Sequence, residues 1–354
     1  MSNSNMANSP IEEKIRRLRE LNEIHSDQFN AERLKRQEYR ANYPTEISVF
    51  KCMDGRIHIP IVTNTPFGIM RPYRNLAGYF DLGWPYLGED LVNWVNYSIN
   101  KGRKCLVMVT YHFSAGDNKC RGCAGFHYSR DEAFSFTINF REQIERMFGK
   151  DNGVVFPAIV GLETDKDILI LHGENYNDIL DVSRIEEHHL KPKEELHRLY
   201  PNMPEKLLCD FVPLVDGNMK HIKKPEVVNR QVLDSEHREW ILGVGRGFDW
   251  LHEPNTALIV GPYSPNLSEP ITTAAKIIKG NMDEGRISND GFILLSSAPY
   301  RDLGLDRNRA IEKTKFLNNF AKEVISEKFP DLVGVMRPIS VIIDLNTRKF
   351  EEIK

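Results

Sequence analysis

The chain has few cysteines, no excess of basic residues and no long apolar segment. Five cysteines in 354 residues are too few and too unevenly spaced for a disulfide framework, and reduced thiols fit a reducing compartment. The formal net charge of −3 at pH 7 comes with no basic stripe, which excludes nucleic acid as an expected partner. No apolar run has the length of a membrane span, and the first residues do not have the pattern of a signal peptide. We therefore expect a cytoplasmic protein with no membrane partner.

The composition is that of a globular protein, with 41% hydrophobic and 27% charged residues, and the length allows two domains or one large one. Apolar spacing predicts alternating strands and helices, which indicates an α/β fold. The predicted strands cover residues 46–51, 105–111, 156–162, 257–264, 291–296 and 340–345. The predicted helices cover residues 87–101, 129 or 131 to 148, 229–251, 272–281 and 308–329.

Residues 1–42 are predicted to form a disordered polar tail followed by a helical arm. Ser9 suits the N-cap position, Pro10 the first helical position and Glu12 the first turn. Apolar residues recur at helical spacing from Ile11 onward. We expect this face to dock on its own domain, although a partner subunit or another protein would also satisfy it.

Two predicted strands are each followed by a side chain that can bind zinc. The first strand ends at Cys52, and a continuous apolar run, typical of a strand covered on both faces, ends at His112. Open α/β sheets place their sites at the carboxyl ends of strands, so we expect the two side chains to lie close together. A second thiolate, from Cys123 or Cys120, would complete three ligands, the count of a catalytic zinc site with one open position.

A carboxylate and a guanidinium follow the first thiol at short spacing. Asp54 lies two residues after Cys52, and Arg56 lies two residues further on. Asp54 would hydrogen-bond whatever fills the open position on the metal. Arg56 would hold that carboxylate in place by a bidentate pair.

This combination resembles the β-class carbonic anhydrases, whose signature is Cys-x-Asp-x-Arg at the end of one strand and a His, then a Cys, at the end of the next. The Arg-Asn element between the two is matched by Arg74 and Asn75. The long spacing from His112 to Cys123 is similar to that of the carboxysomal branch of the class, which carries an insertion there. The specific part of the resemblance covers residues 46–128.

The resemblance and a faint internal repeat imply a β-carbonic-anhydrase-like sheet flanked by helices, present in two copies. Residues 43–150 would form the zinc-binding catalytic domain. Residues 151–354 would form a degenerate, metal-free copy with a C-terminal extension. In this interpretation the strand 156–162 corresponds to the strand before Cys52.

The function that the resemblance implies is the zinc-dependent, reversible hydration of carbon dioxide to bicarbonate and a proton. One zinc ion per chain, held by Cys52, His112 and Cys123, would carry the attacking hydroxide, gated by Asp54 and Arg56. A homo-oligomer, dimer or higher, is expected, and a shell or scaffold protein is a further expected partner through the N-terminal arm. The arm is shorter than in carboxysomal members, which favours the cytoplasm over the carboxysome.

Three alternatives remain open. The same fold would also serve as a non-catalytic bicarbonate-binding, anion-binding or scaffold protein, which the intact carboxylate–guanidinium pair disfavours. Cys120 and Cys123 would form a structural zinc knuckle with His112 and His127, which leaves the first cysteine motif unexplained. A zinc hydrolase or deaminase would need a glutamate two residues after the histidine, and none follows His112 at that spacing.

Overall fold

The computed structural model describes residues 10–150, 152–231 and 236–354, which form two parallel-dominated sheets flanked by helices. The helices are α1 (Pro10–Ala31), α2 (Arg33–Asn42), α3 (Ile59–Val62), α4 (Pro85–Asn100), α5 (Asn118–Arg121), α6 (Arg130–Phe148), α7 (Arg184–Glu187), α8 (Pro192–Leu199), α9 (Glu205–His221), α10 (Pro225–Val228), α11 (Ser268–Asp283) and α12 (Leu305–Lys328). The strands are β1 (Glu46–Cys52), β2 (Met70–Asn75), β3 (Cys105–Phe113), β4 (Val155–Glu163), β5 (Ile168–His172), β6 (Ile179–Asp181), β7 (Ile241–Gly245), β8 (Ala257–Val260), β9 (Phe292–Tyr300), β10 (Met336–Asp344) and β11 (Phe350–Ile353). The predicted α/β class is confirmed.

The first sheet places the ends of two central strands at one edge. Its strand order is β2-β1-β3-β4-β5-β6, in which β1 to β4 are parallel, β5 pairs antiparallel with β4, and β6 pairs antiparallel with β5. Strand β3 lies between β1 and β4, and every one of its residues is buried. A strand covered in this way needs a continuous apolar run rather than alternation, which explains the sequence of residues 105–111.

The second sheet repeats the order of the first. Its strands run β8-β7-β9-β10-β11, with the first four parallel and β11 antiparallel. This matches β2-β1-β3-β4-β5 strand for strand, so β7 corresponds to β1 and β9 to β3. The fold is therefore present in two copies, as the resemblance implied.

The second copy begins later in the chain than expected. The predicted strand 156–162 is β4, which pairs with β3 in the first sheet. The first strand of the second copy is β7, inside the segment 229–251 for which helical spacing predicts a helix. The predicted helix is wrong at residues 241–245, which form β7. This strand is buried on both faces, so its short apolar run lacks the alternation of apolar and polar residues that marks a strand in a sequence. Residues 232–235 of that segment lie outside the described residues.

The chain divides into two compact units, and neither is one continuous segment. The first unit contains Leu34–Cys52 and Ile57–Glu236, and the second contains the chain up to Arg33, Met53–Arg56 and His237–Lys354. The division differs from the expected boundary at residue 150, because β4 to β6 complete the first sheet.

The arm helix α1 docks within the second unit, as expected for an amphipathic helix. Ile11, Ile15, Leu18 and Leu21 are buried in one apolar cluster with Trp250. Burying four such side chains contributes roughly 1.5–3 kcal/mol each. Within the described ranges, no helix combines the length and apolarity that crossing a bilayer requires.

Candidate metal centre

The first unit brings together three side chains that could hold a metal ion. Ligand atoms of Cys52, His112 and Cys123 all lie within 4.8 Å of one another. The three residues are buried, with 6%, 3% and 4% of their surface exposed. Cys52 ends β1 and His112 is the penultimate residue of β3, so the parallel strands deliver both to the same edge of the sheet.

The third residue is delivered by a tight turn. Cys123 directly precedes a 3-10 turn at Ala124–Phe126. A Cβ on Gly125 would lie 2.4 Å from the Cβ of Ala77, so only glycine permits this approach. Ala77 itself has a left-handed φ of 56°, in the short turn that follows Asn75. The Arg-Asn element of β2 and the Cys123 turn therefore pack against each other.

The Arg-Asn element lies beside the first thiol. Asn75 is the register partner of Cys52 across β1 and β2. Its Nδ2 donates to the carbonyl oxygen of Tyr79 at 2.8 Å, which fixes the chain at the end of β2.

The electrostatics of the cluster fit a cation. A hydrogen bond with Cys123, and then burial, raise the pKa of the Cys52 thiol well above its usual value, whereas His112 lowers it. The buried Cys52 thiol therefore favours its protonated form until a cation stabilises the thiolate. Two sulfurs and one imidazole form a donor set that suits zinc and leaves a fourth position open.

The predicted carboxylate–guanidinium pair is formed in the second unit. Arg56 Nη2 donates to Asp54 Oδ2 at 2.6 Å, Arg56 Nε donates to Asp54 Oδ1 at 3.0 Å, and the Arg56 backbone N–H donates to the same Oδ1 at 2.8 Å. The two side chains are only 6% and 4% exposed, respectively. The pair is therefore a buried, bidentate and charge-assisted contact.

The loop that carries this pair is bonded to the second sheet. The Met53 carbonyl oxygen accepts from the Ile259 N–H at 2.9 Å, and the Gly55 carbonyl oxygen accepts from the Asn255 N–H at 2.7 Å. The Gly55 N–H donates to Glu239 Oε1 at 3.1 Å. Met53 and Gly55 are thus held by hydrogen bonds within the second unit.

Two residues beside the pair are absent from the sequence prediction. His237 Nε2 lies 3.1 Å from Arg56 Nη2, and His237 Nδ1 lies 2.9 Å from Glu239 Oε2. His237 is 181 residues from Arg56 along the chain and belongs to no motif. Only the three-dimensional structure brings the two together.

The structure describes the side chain of His127, which the zinc-knuckle alternative requires, but not that of Cys120. His127 is exposed and does not join the Cys52 cluster among the described residues, which disfavours the zinc knuckle. The side chain of Cys120 lies outside the described part of the structure.

Comparison with known proteins identifies relatives of one kind. Residues 45–198 match the family model of the carboxysome shell carbonic anhydrase catalytic domain. A carboxysome shell carbonic anhydrase of Prochlorococcus marinus strain MIT 9313 is 25% identical over 274 residues, which cover 66% of this chain and 51% of that protein. The same protein of P. marinus subsp. pastoris is 27% identical over 250 residues, covering 59% of this chain and 47% of the relative. That of Parasynechococcus marenigrum is 30% identical over 145 residues, covering 36% and 24%.

The matched segment contains the first sheet and all three residues of the Cys52 cluster. The chain spans about half the length of the first two curated relatives that it matches. The resemblance to the carboxysomal branch is thereby confirmed, and the chain is a relative of the carboxysome shell carbonic anhydrases.

Proposed function

We propose that this chain binds one zinc ion through Cys52, His112 and Cys123 and catalyses the reversible hydration of carbon dioxide. The observation that carries the proposal is the buried cluster of two thiols and an imidazole at the end of β1, continued in sequence by the Asp54–Arg56 pair. Zinc, when bound, lowers the pKa of water at the site toward about 7, which provides a nucleophile at neutral pH.

Asp54 has the role of orienting the attacking water. Its carboxylate accepts a hydrogen bond from that water, which directs an oxygen lone pair at the carbon of carbon dioxide. Arg56 engages both carboxylate oxygens of Asp54, at 2.6 and 3.0 Å, and so keeps the carboxylate ionised. The same contact fixes the direction in which the Asp54 carboxylate points.

The reaction requires little from the protein beyond this arrangement. The water oxygen forms a bond to carbon, the electron pair of one C=O π bond moves to oxygen, and one proton passes to solvent or buffer. Carbon dioxide is small and uncharged, so it needs no cationic recognition group.

The geometry of Arg56 favours catalysis over simple anion binding. A binding protein for bicarbonate would present a guanidinium to the anion. Arg56 is instead committed to Asp54 and lies beside His237, and its side chain is 6% exposed.

Exchange of ¹⁸O between labelled carbon dioxide and water, followed by mass spectrometry, tests the proposal. We expect rapid exchange with one zinc per chain in the wild-type protein and in Cys209→Ala, whose thiol lies outside the cluster. Cys52→Ala should lose both the zinc and the exchange. Exchange at the uncatalysed rate in zinc-loaded wild-type protein would refute the activity.

A further inference from the structure

A second buried cluster of titratable side chains lies in the second unit, outside the thiol–imidazole set. Ligand atoms of Asp54, His237 and Glu239 lie within 4.8 Å of one another, which is the spacing of a metal site. The Arg56 guanidinium already supplies a cation there, with Nη2 2.6 Å from Asp54 Oδ2 and 3.1 Å from His237 Nε2. A metal ion in contact with Asp54 and His237 would face this charge at close range, so the cluster is built around arginine.

The donor and the acceptor of each hydrogen bond that His237 makes can be assigned from the chemistry of its partners. Arg56 Nη2 carries only hydrogens and has no lone pair to offer, so His237 Nε2 must accept. His237 Nδ1 then carries the ring proton and donates it to Glu239, whose two oxygens lie at 2.9 and 3.0 Å. Glu239 therefore fixes the tautomer that Arg56 requires.

Glu239 is itself held firmly. It is fully buried, and its Oε1 also accepts from the backbone N–H of Gly55, in the loop that carries Asp54 and Arg56. Its carbonyl oxygen accepts from Asn281 Nδ2 at 3.1 Å. The carboxylate therefore provides a fixed point from which both the loop and the imidazole are oriented.

We infer that His237, oriented by Glu239, is a positioning residue that holds the Arg56 guanidinium on Asp54. This role rests on the proposed function, in which Arg56 fixes the direction of the Asp54 carboxylate. Without an acceptor at His237 Nε2, the Nη2 group of Arg56 loses one of the contacts that orient it, and the guanidinium is held less firmly in the geometry that bonds Asp54. The second unit then contributes a further side chain, His237, to the arrangement of the Asp54–Arg56 pair.

Two substitutions of His237 by amide side chains test the two ring nitrogens of the imidazole one at a time. Glutamine at position 237 places an amide oxygen near the position of Nε2 and keeps an acceptor for Arg56. Asparagine places its amide group near the position of Nδ1, where it still donates to Glu239, but it ends short of Arg56. Both variants remove the imidazole from a site whose side chain is 14% exposed, so a general effect of that loss is common to both.

The test compares His237→Gln with His237→Asn by zinc content, steady-state kinetics and crystal structures. We expect full zinc in both and similar KM for carbon dioxide, since His237 does not touch the substrate. The kcat of His237→Asn should be lower than that of His237→Gln by about tenfold or more, the usual cost of losing a supporting contact. In the crystals, Arg56 Nη2 should stay near 2.6 Å from Asp54 Oδ2 in His237→Gln and move away in His237→Asn.

Equal kcat in the two variants, with Arg56 on Asp54 in both crystals, would overturn the inference. The crystal comparison decides it even if the wild-type protein does not hydrate carbon dioxide. In that case the proposed function fails, while a displaced Arg56 in His237→Asn alone would still assign His237 its positioning role.

Discussion

A methyl group added at Gly55 should disturb the carboxylate–guanidinium pair without touching a charged side chain of the pair itself. In Gly55→Ala the new Cβ would lie 2.8 Å from the Ala257 carbonyl oxygen and 2.8 Å from Glu239 Cγ. Carbon atoms of real side chains do not approach this closely, so Glu239 or the loop must move. The φ of Gly55 is not in the left-handed region, which makes the effect one of packing and not of backbone strain.

The size of the effect follows from the packing of the site. Glu239 is fully buried, and its carboxylate is hydrogen-bonded to the Gly55 N–H and to His237 Nδ1, so the side chain cannot swing into solvent. Overpacking of such a site costs about 1–3 kcal/mol. For a unit of this size, each kcal/mol lowers the melting temperature by about 2–4 °C, which gives an expected drop of about 2–12 °C.

Differential scanning calorimetry of Gly55→Ala against Gly334→Ala measures this effect. A Cβ at Gly334 meets nothing within 4 Å, so this control should melt within about 1 °C of the wild-type protein. The kcat for carbon dioxide hydration should fall in Gly55→Ala only, because Glu239 and His237 are displaced. A Gly55→Ala protein that melts with the control and retains its kcat would refute the packing argument.

Three further predictions address the metal, the guanidinium and a buried imidazole. Arg56→Ala should retain zinc and lose most turnover, as measured by metal analysis and kcat together; normal turnover would remove the gating role. Cys52→Ala and His112→Ala should each lose zinc while Cys209→Ala keeps it, and full occupancy in either of the first two would remove that residue from the ligand set. Burial lowers the pKa of His172 from 6.5 to about 4. As the pH falls from 6.5 to about 4, the unfolded chain therefore takes up a proton at this side chain before the folded chain does. The free energy of unfolding should fall by about 3 kcal/mol over this range. Urea unfolding between pH 7 and 4 measures this change, and an identical pH dependence in His172→Gln would contradict it.

The residues of the Cys52 cluster could be predicted from the sequence because they belong to short local motifs near the ends of strands. Cys52 follows a predicted strand and His112 follows a continuous apolar run, and the parallel pairing of β1 and β3 places both at one edge. The local sequence left both Cys123 and Cys120 as candidates for the third ligand. The structure places Cys123 in the cluster through a turn that depends on Gly125, a contact invisible in sequence.

The extent of the second copy was beyond sequence reasoning for a physical reason. Strand β7 is a five-residue run buried on both faces, which has no strand period. Strand β4 has the same apolar character, and only its hydrogen bonds to β3 assign it to the first sheet. The same limit applies to His237, whose contact with Arg56 joins positions 181 residues apart.

Stopped-flow measurement of carbon dioxide hydration on zinc-loaded protein under reducing conditions, with Cys52→Ser as the control, tests whether this chain is a zinc-dependent carbonic anhydrase. We expect fast hydration in the wild-type protein and loss of both zinc and hydration in the control. Zinc bound at one per chain with hydration no faster than buffer would contradict this expectation and would leave the fold as a binding or scaffold protein.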